Sequence, residues 1–228
     1  MLSVNEIVAL HDQRTRAWHQ APEDPAEAAL PGSGAGAAGK QEAAAEWLSA
    51  VARQHRANFE LWHIEDEARV PGATDAELAE VKHRVDRTNQ RRNDLAEELD
   101  RALLDWLETR GLPNPSAPLH SESPGLIVDR LSILALKIYH TREEAGRTDA
   151  PAGHAERNLH RLAVLDEQRA DLAGCLDALW RETLAGTRRF KLYRQLKMYN
   201  DPSLNPAVYR KLLAERGRYP RVCGPPLT

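Results

Sequence analysis

Apolar residues recur at three- and four-residue steps along most of the chain, the spacing that gathers them on one side of an α-helix. In LSVNEIVALHDQRTRAWH they fall at Val4, Ile7/Val8, Ala17 and Trp18, which predicts a short amphipathic helix. A long helix is expected from about Gln41 to about Val70, stopped by Pro71 and Gly72, after which Thr74 or Asp75 has the chemistry to cap the next one. That helix should end near Arg110, with Leu78, Val81, Val85, Leu95, Leu99, Leu103 and Trp106 as its stripe. In SESPG, Ser123 is an N-cap candidate and Pro124 takes the first helical position, where its missing N–H costs nothing. LIVDRLSILALKIYHTREE then forms the third long helix and HAERNLHRLAVLDEQRADLAGCLDALWRETL the fourth, with GRTDAPAG as the turn between them.

Past Gly186 the periodicity weakens. RFKLYRQLKMY reads as a strand or an irregular arm, DPSLNP as turn chemistry, and NPAVYRKLLAER as a short helix opened by Pro206. The expectation is an all-α bundle of four long helices with shorter terminal helices and an irregular C-terminal arm. Its divisions are an N-terminal helix over 1–21, a flexible Ala/Gly/Pro-rich linker over 22–40, the helical bundle over 41–186, and an arm with a short helix over 187–228.

Composition adds limits. At 228 residues, 42% hydrophobic and 29% charged, the chain has the makeup of a soluble globular protein with a substantial core. A net charge of -3 lacks the basic footprint of a nucleic-acid binder. The late basic runs TRRFKLYRQLK and YRKLLAERGRYPR are read as solvated surface in preference to an anion site. Cys175 is expected as a small buried hydrophobe on a helical stripe and Cys223 lies in a Pro/Gly-rich tail; neither has redox or zinc spacing. With no secretory start and no apolar run approaching the ~20 residues that span a bilayer, a cytoplasmic protein without membrane contact is expected.

The stripes carry polar residues where apolar ones are due. Thr88, Asn89 and Arg92 lie between Val85 and Leu95; Leu126, Arg130, Ile133, Lys137, His140 and Glu144 share one helical face, as do Leu162, Asp166, Arg169, Leu172 and Leu176. In NFELWHIEDEAR, a face holds Asn58, Trp62, Glu65 or Asp66, and Arg69. Buried charges must pair, reach water or meet a ligand. Either they neutralise one another in an interhelical network, or the helices line a polar pocket with arginines as anion clamps and acids as acid/base groups; the pocket is preferred because the gaps occur in every long helix. The Glu-x-x-His pairs Glu60/His63 and Glu80/His83, and His140 with Glu143 or Glu144, have metal-ligand spacing, but an Arg or Lys on each helix would repel a second cation and no metal ligand set is assigned. GSGAGAAG lacks the strand and helix of a phosphate loop, no G-x-S-x-G elbow occurs, and Cys175 has no case as a nucleophile.

The runs NFELWHIEDEAR, VDRTNQRRNDLAEELD, SESPGLIVDRLSILALKIYHTREE, LDEQRADL and RQLKMYNDPSLNP resemble the signature of a bacterial family, domain of unknown function 4254, from Asn58 to Pro206. The resemblance implies a helical fold and an association with glycosyltransferase and cell-envelope polysaccharide genes; it brings no established catalytic residue. Matching its motifs are Trp62, His63, Glu65, Asp66, Arg69, Asn89, Arg92, Asn93 and Asp94. Ser121, Glu122, Ser123, Asp129, Arg130, Lys137, His140, Gln168, Arg169, Lys197, Tyr199, Asn200 and Asp201 follow. The insert around residues 22–40 and the Pro-rich tail depart from the pattern.

The first functional expectation is an enzyme or enzyme helper that binds an anionic polar small molecule such as a sugar nucleotide. Arg69, Arg92, Arg130 and Arg169 would hold anionic groups with Asn89, Asn93 and Lys137 beside them. Glu65, Asp66 or His140 would move a proton, and Lys197, Tyr199 and Asn200 would close one end. The alternative is a non-catalytic protein whose basic arm docks a partner from the same gene cluster, such as a glycosyltransferase; a weaker one is a metal-dependent oxidative enzyme using His63, Glu65 and His140. No cofactor is assigned. Trp47, Phe59, Trp106 and Trp180 would serve a core or a homo-oligomer interface equally well.

Overall fold

The computed structural model describes residues 3–21, 38–194, 196 and 203–215, the side chains of 38–43 and 215 excepted. Its elements are α1 (Val4–Gln20), α2 (Ala38–Glu67), α3 (Asp75–Glu108), α4 (Pro124–Ala145), α5 (His154–Leu184) and α6 (Pro206–Glu215). The fold is all-α. Helices α1 to α5 belong to one compact unit, Met1–Tyr193, and α6 to a second, Arg194–Thr228. The expected linker lies outside the described residues except at its C-terminal end, where α2 already begins at Ala38.

Helix α4 is the centre of the larger unit and packs against α1, α2, α3 and α5. Its sequence explains why: Ile127, Val128, Leu131, Leu134, Ala135, Leu136 and Ile138 point to several sides and all are buried. A helix apolar nearly all round needs neighbours all round. The strip Leu126–Arg130–Ile133–Lys137, expected to face inward, is instead the least buried edge of α4, with Arg130 and Lys137 exposed. The charges lie there because, before the last two turns of α4, that edge is the one that reaches solvent.

Helix α1 is part of the core rather than a peripheral segment: Ile7 is fully buried, and Val4, Leu10 and Trp18 are buried with it. Trp47, Phe59 and Trp180 are also buried, and Trp106 packs partly buried with its ring 5.7 Å from that of Trp180, so these aromatics serve the interior. Cys175 is exposed, a correction to the buried position expected of it. The inward stripe of α5 runs through Leu172, Leu176 and Leu179, and Cys175 is turned away from it. Among the described residues beyond α5 the chain forms one parallel bridge, between Leu119 and Arg189, with Arg189 N–H donating to the Pro118 carbonyl at 3.0 Å. This bridge places Phe190 in the core, so the first part of RFKLYRQLKMY is an extended arm pinned at one point rather than a strand of a sheet. Among the described residues, no helix is long and apolar enough to cross a membrane.

The helix starts follow local chemistry. Thr74 caps α3 in a capping box, its hydroxyl accepting from Glu77 N–H while the Glu77 carboxylate accepts from Thr74 N–H at 2.7 Å. Ser123 has the extended backbone of an N-cap, but its hydroxyl donates to Asp100 of α3 instead of capping. Asp100 supplies the cap from outside, accepting the Gly125 N–H at 2.6 Å. Burial pushes the Asp100 carboxyl up to about 6 against the pull of these two donors. The helices approach so closely here that a Cβ on Gly125 would sit inside van der Waals contact of the Ala96 carbonyl oxygen and 2.9 Å from Asp100 Cγ. Gly125→Ala is therefore expected to destabilise the fold by about 1–3 kcal/mol, as overpacking does, read as a lowered urea midpoint at unchanged slope. A midpoint equal to that of the native chain would show that α4 can move away from α3 freely.

Candidate functional site

The inward face of α2 continues through Gln54, His55 and Asn58, all buried, where apolar residues would ordinarily stand. Each finds partners on the helices it meets. Gln54 Nε2 and Asn58 Nδ2 donate to Asp129 Oδ1 of α4 at 2.5 and 2.9 Å, and Asn58 Nδ2 also reaches Ser132 Oγ at 2.9 Å. His55 Nδ1 lies 2.7 Å from the same Ser132 hydroxyl, and its Nε2 lies 2.9 Å from Thr15 Oγ1 and 3.1 Å from the His11 carbonyl of α1. A neutral His55 ring with its proton on Nε2 satisfies this chain: Asn58 donates to Ser132, Ser132 to His55, and His55 to α1. From α3, Arg92 Nε stands 3.5 Å from Asp129 Oδ1; that nitrogen is buried and makes no hydrogen bond. Burial raises the Asp129 carboxyl, with Arg92, Asn58 and Gln54 opposing.

Beside this network a groove of about 460 Å³ opens between α2, α3 and α4. Asn58, Leu61, Trp62, Glu65, Asp66 and Arg69 line it at three- and four-residue steps, Arg92 enters from α3, and Ile133 and Leu136 form an apolar wall on α4. Arg69 makes an ion pair with Glu65 at 3.4 Å.

At the edge of the groove three histidines from three helices come together. Ring nitrogens of His19 (α1), His63 (α2) and His140 (α4) lie within 4.8 Å of one another. His19 Nδ1 donates to the Thr15 carbonyl at 2.7 Å, and His140 Nδ1 is 3.0 Å from Glu143 Oε2. His63 Nδ1 is 4.0 Å from Asp66 Oδ2. The Nε2 atoms of His19 and His140 are buried without a hydrogen-bond partner. Trp62 stacks on His140 with ring centroids 4.9 Å apart, and Tyr139 on His19 at 4.2 Å. Burial, and then the neighbouring His19, lowers the pKa of both His63 and His140, which favours neutral rings. Trp62 and Asp66 belong to both places, lining the groove while touching the histidines.

The expected site residues thus divide. Glu65, Asp66, Arg69 and Arg92 do share one space. Asn89 and Asn93 are half-buried on α3 but do not line it. Arg130 is exposed and held by both oxygens of Glu122 at 2.9 and 2.7 Å, Lys137 is exposed, and Arg169 bridges Asp12 of α1 at 2.9 Å and Asp166 at 3.1 Å. The four arginines do not converge, because two of them face away from α2 and settle with carboxylates of their own. His140 belongs with the histidines rather than with Glu65. Neither Glu-x-x-His pair forms: Glu60 bonds Arg56 at 3.1 Å, Glu80 bonds Arg87 at 3.1 Å, and His83 is exposed. Lys197, Tyr199 and Asn200 lie outside the described residues. Sequence reasoning passed over Gln54, His55, Ser132 and His19. A signal existed for some of them: His11, Thr15 and His19 repeat at four-residue steps on α1, beside a buried face that also holds Trp18.

A family model described as protein of unknown function (DUF4254) matches residues 48–192, and the chain belongs to that family. No curated protein and no solved structure matches it.

The buried imidazoles set an acid limit on the fold. Burial drives His55 down to about 3 and His11 well below its ordinary value. Unfolded, both take up protons near pH 6.5, so stability falls as pH drops below that value. Asp100, raised to about 6, acts in the opposite sense, since its folded form binds the proton more tightly. At pH 5.5 the protons that His11 and His55, with His63 and His140, take up only on unfolding outweigh those that Asp100 and Asp129 hold more tightly when folded, so unfolding should be easier than at pH 7.5, by on the order of 2 kcal/mol. Urea midpoints at the two pH values check this, and equal or higher stability at pH 5.5 would exclude neutral buried histidines.

Proposed function

We propose that this member of the DUF4254 family binds a polar small molecule carrying an anionic group in the groove between α2, α3 and α4, as an enzyme or as an enzyme's ligand-holding helper. The single observation that carries the reading is Arg92. Its Nε is buried without a hydrogen-bond partner, 3.5 Å from the Asp129 carboxylate, while the side chain lines the groove. A guanidinium held by a carboxylate behind it and open to a cavity in front is disposed to meet an anion, and Arg69 adds a second at the mouth. Trp62, Leu61, Ile133 and Leu136 offer a flat, apolar surface for a ring, and the groove's volume suits an ordinary small ligand. Glu65 and Asp66 would accept hydrogen bonds from ligand hydroxyls and are the groove's candidates for moving a proton. A sugar nucleotide combines these features, with its diphosphate for the arginines, its base for the aromatic wall and its hydroxyls for the carboxylates.

Arg69 is the cleaner probe, because it is exposed in the turn after α2 and its ion pair is local, with Glu65 four residues earlier, whereas removing Arg92 takes the counter-ion from the buried Asp129. In calorimetric titrations with nucleoside diphosphate sugars, Arg69→Ala should weaken binding about tenfold while the melting temperature in the absence of ligand stays unchanged. Unaltered affinity in this variant, or no stabilisation of the native chain by any nucleoside diphosphate sugar, sugar phosphate or small carboxylate, would overturn the assignment.

A further inference from the structure

We infer that His19, His63 and His140 form a binding site for one divalent transition-metal ion of the zinc type, at the edge of the groove and independent of what the groove binds. Three features of the cluster are those of a ligand set rather than of a packed aromatic group. First, the donors come from α1, α2 and α4, three separate helices, and meet within 4.8 Å. Second, each ring has an acceptor on its Nδ1 side: the Thr15 carbonyl at 2.7 Å, Glu143 Oε2 at 3.0 Å, and Asp66 Oδ2 at 4.0 Å. For His19 and His140, whose Nδ1 atoms are within hydrogen-bond distance of their acceptors, this is the outer-shell arrangement that fixes the tautomer of metal-bound histidine and leaves Nε2 as the ligand atom, whereas Asp66 stands beyond hydrogen-bond reach of His63 and adds only its charge. Third, Nε2 of His19 and of His140 is buried with no partner, a cost of about 1–3 kcal/mol per group that a bound ion would remove.

The charge balance permits a dication. Asp66 and Glu143 place two carboxylates beside the rings, while the nearby Arg56 is ion-paired with Glu60 at 3.1 Å and lies over the rings of Trp18 and Phe59. Neutral imidazoles are the form that binds metal, and no cysteine or methionine is present in the set to favour a softer ion. Metal–nitrogen bonds of about 2.0–2.1 Å require ligand atoms roughly 3.3 Å apart, so the rings must close inward by about an ångström, within reach of small side-chain rotations. Three protein ligands leave a coordination position unfilled, the pattern of sites where the ion meets water or substrate rather than only holding the chain. The groove residues Trp62 and Asp66 adjoin the histidine rings themselves, Trp62 stacked on His140 and Asp66 on the Nδ1 side of His63.

The test is direct titration of tag-free, chelator-treated protein with zinc(II) by calorimetry and with cobalt(II) by visible absorption. One equivalent should bind with a dissociation constant in the micromolar range or tighter, and cobalt(II) should develop the intense d–d bands of a low-coordinate site. His63→Gln and His140→Gln should each weaken binding at least a hundredfold, and Glu143→Gln should weaken it tenfold to a hundredfold by releasing His140. His83→Gln, at an exposed histidine away from the cluster, should leave it unchanged. Circular dichroism on each variant establishes that the helices persist; His63 is 40% exposed, so its replacement leaves the core intact. Absence of binding in the native chain overturns the site, and so does affinity that His63→Gln and His140→Gln leave unaltered, which marks adventitious surface histidines. Failure of nucleoside diphosphate sugars to bind would leave this result untouched.

Discussion

Asp129 is a buried carboxylate in the second turn of α4, a helix covered on nearly every side. It cannot stay there without partners, and the structure supplies them from two neighbours: Gln54 and Asn58 of α2 by hydrogen bonds, and Arg92 of α3 by charge. Stranding such a charge costs about 3–5 kcal/mol, a large part of the stability of a domain this size. The rotation of α2 about its own axis follows from the requirement that Gln54 and Asn58 face Asp129. Everything proposed for function depends on that rotation.

With Asn58 turned to α4, the rest of NFELWHIEDEAR is distributed by helical geometry alone. Phe59 and Ile64 are buried. Leu61, Trp62, Glu65, Asp66 and Arg69 fall on the groove, and His63 swings toward α1 and α4 to meet His19 and His140. Glu60 and Glu67 point outward to Arg91 and Arg84 of α3, tying the outer edges of the two helices together. A stretch too polar for a core helix and too aromatic for a surface one is accounted for, since it serves a buried hub, an open groove and a histidine cluster at once.

The sequence made the helices legible because their signals are local: Thr74 and Glu77 form a capping box, Pro124 and Pro206 open helices, and Leu99 and Leu103 repeat at core spacing. Glu65, Asp66, Arg69 and Arg92 were legible as a shared polar space for a similar reason, each being a charge in an otherwise apolar stripe. Arg130 and Lys137 misled because a stripe says which residues share a face and nothing about where that face looks; on a helix buried nearly all round, the charged stripe is the exit to solvent. His19 was invisible for a different reason. Its chemistry arises only when α1 packs beside α2 and α4, a contact between parts of the chain forty or more residues apart in sequence, as the His55–Thr15 bond at separation 40 illustrates. No spacing rule within one helix reports it.

The dependence of the interior on Asp129 is tested most directly by a double-mutant cycle on stability with Arg92→Leu, Asp129→Leu and both together. If the pair organises the bundle, Arg92→Leu leaves the buried Asp129 without its counter-ion, Asp129→Leu leaves Arg92 without its carboxylate, and the double variant recovers part of the loss, with a coupling of about 1–3 kcal/mol. Stabilities that add to within about 0.5 kcal/mol would mean that the two residues act independently, and would contradict Asp129 as the constraint that sets α2 and α3 against α4.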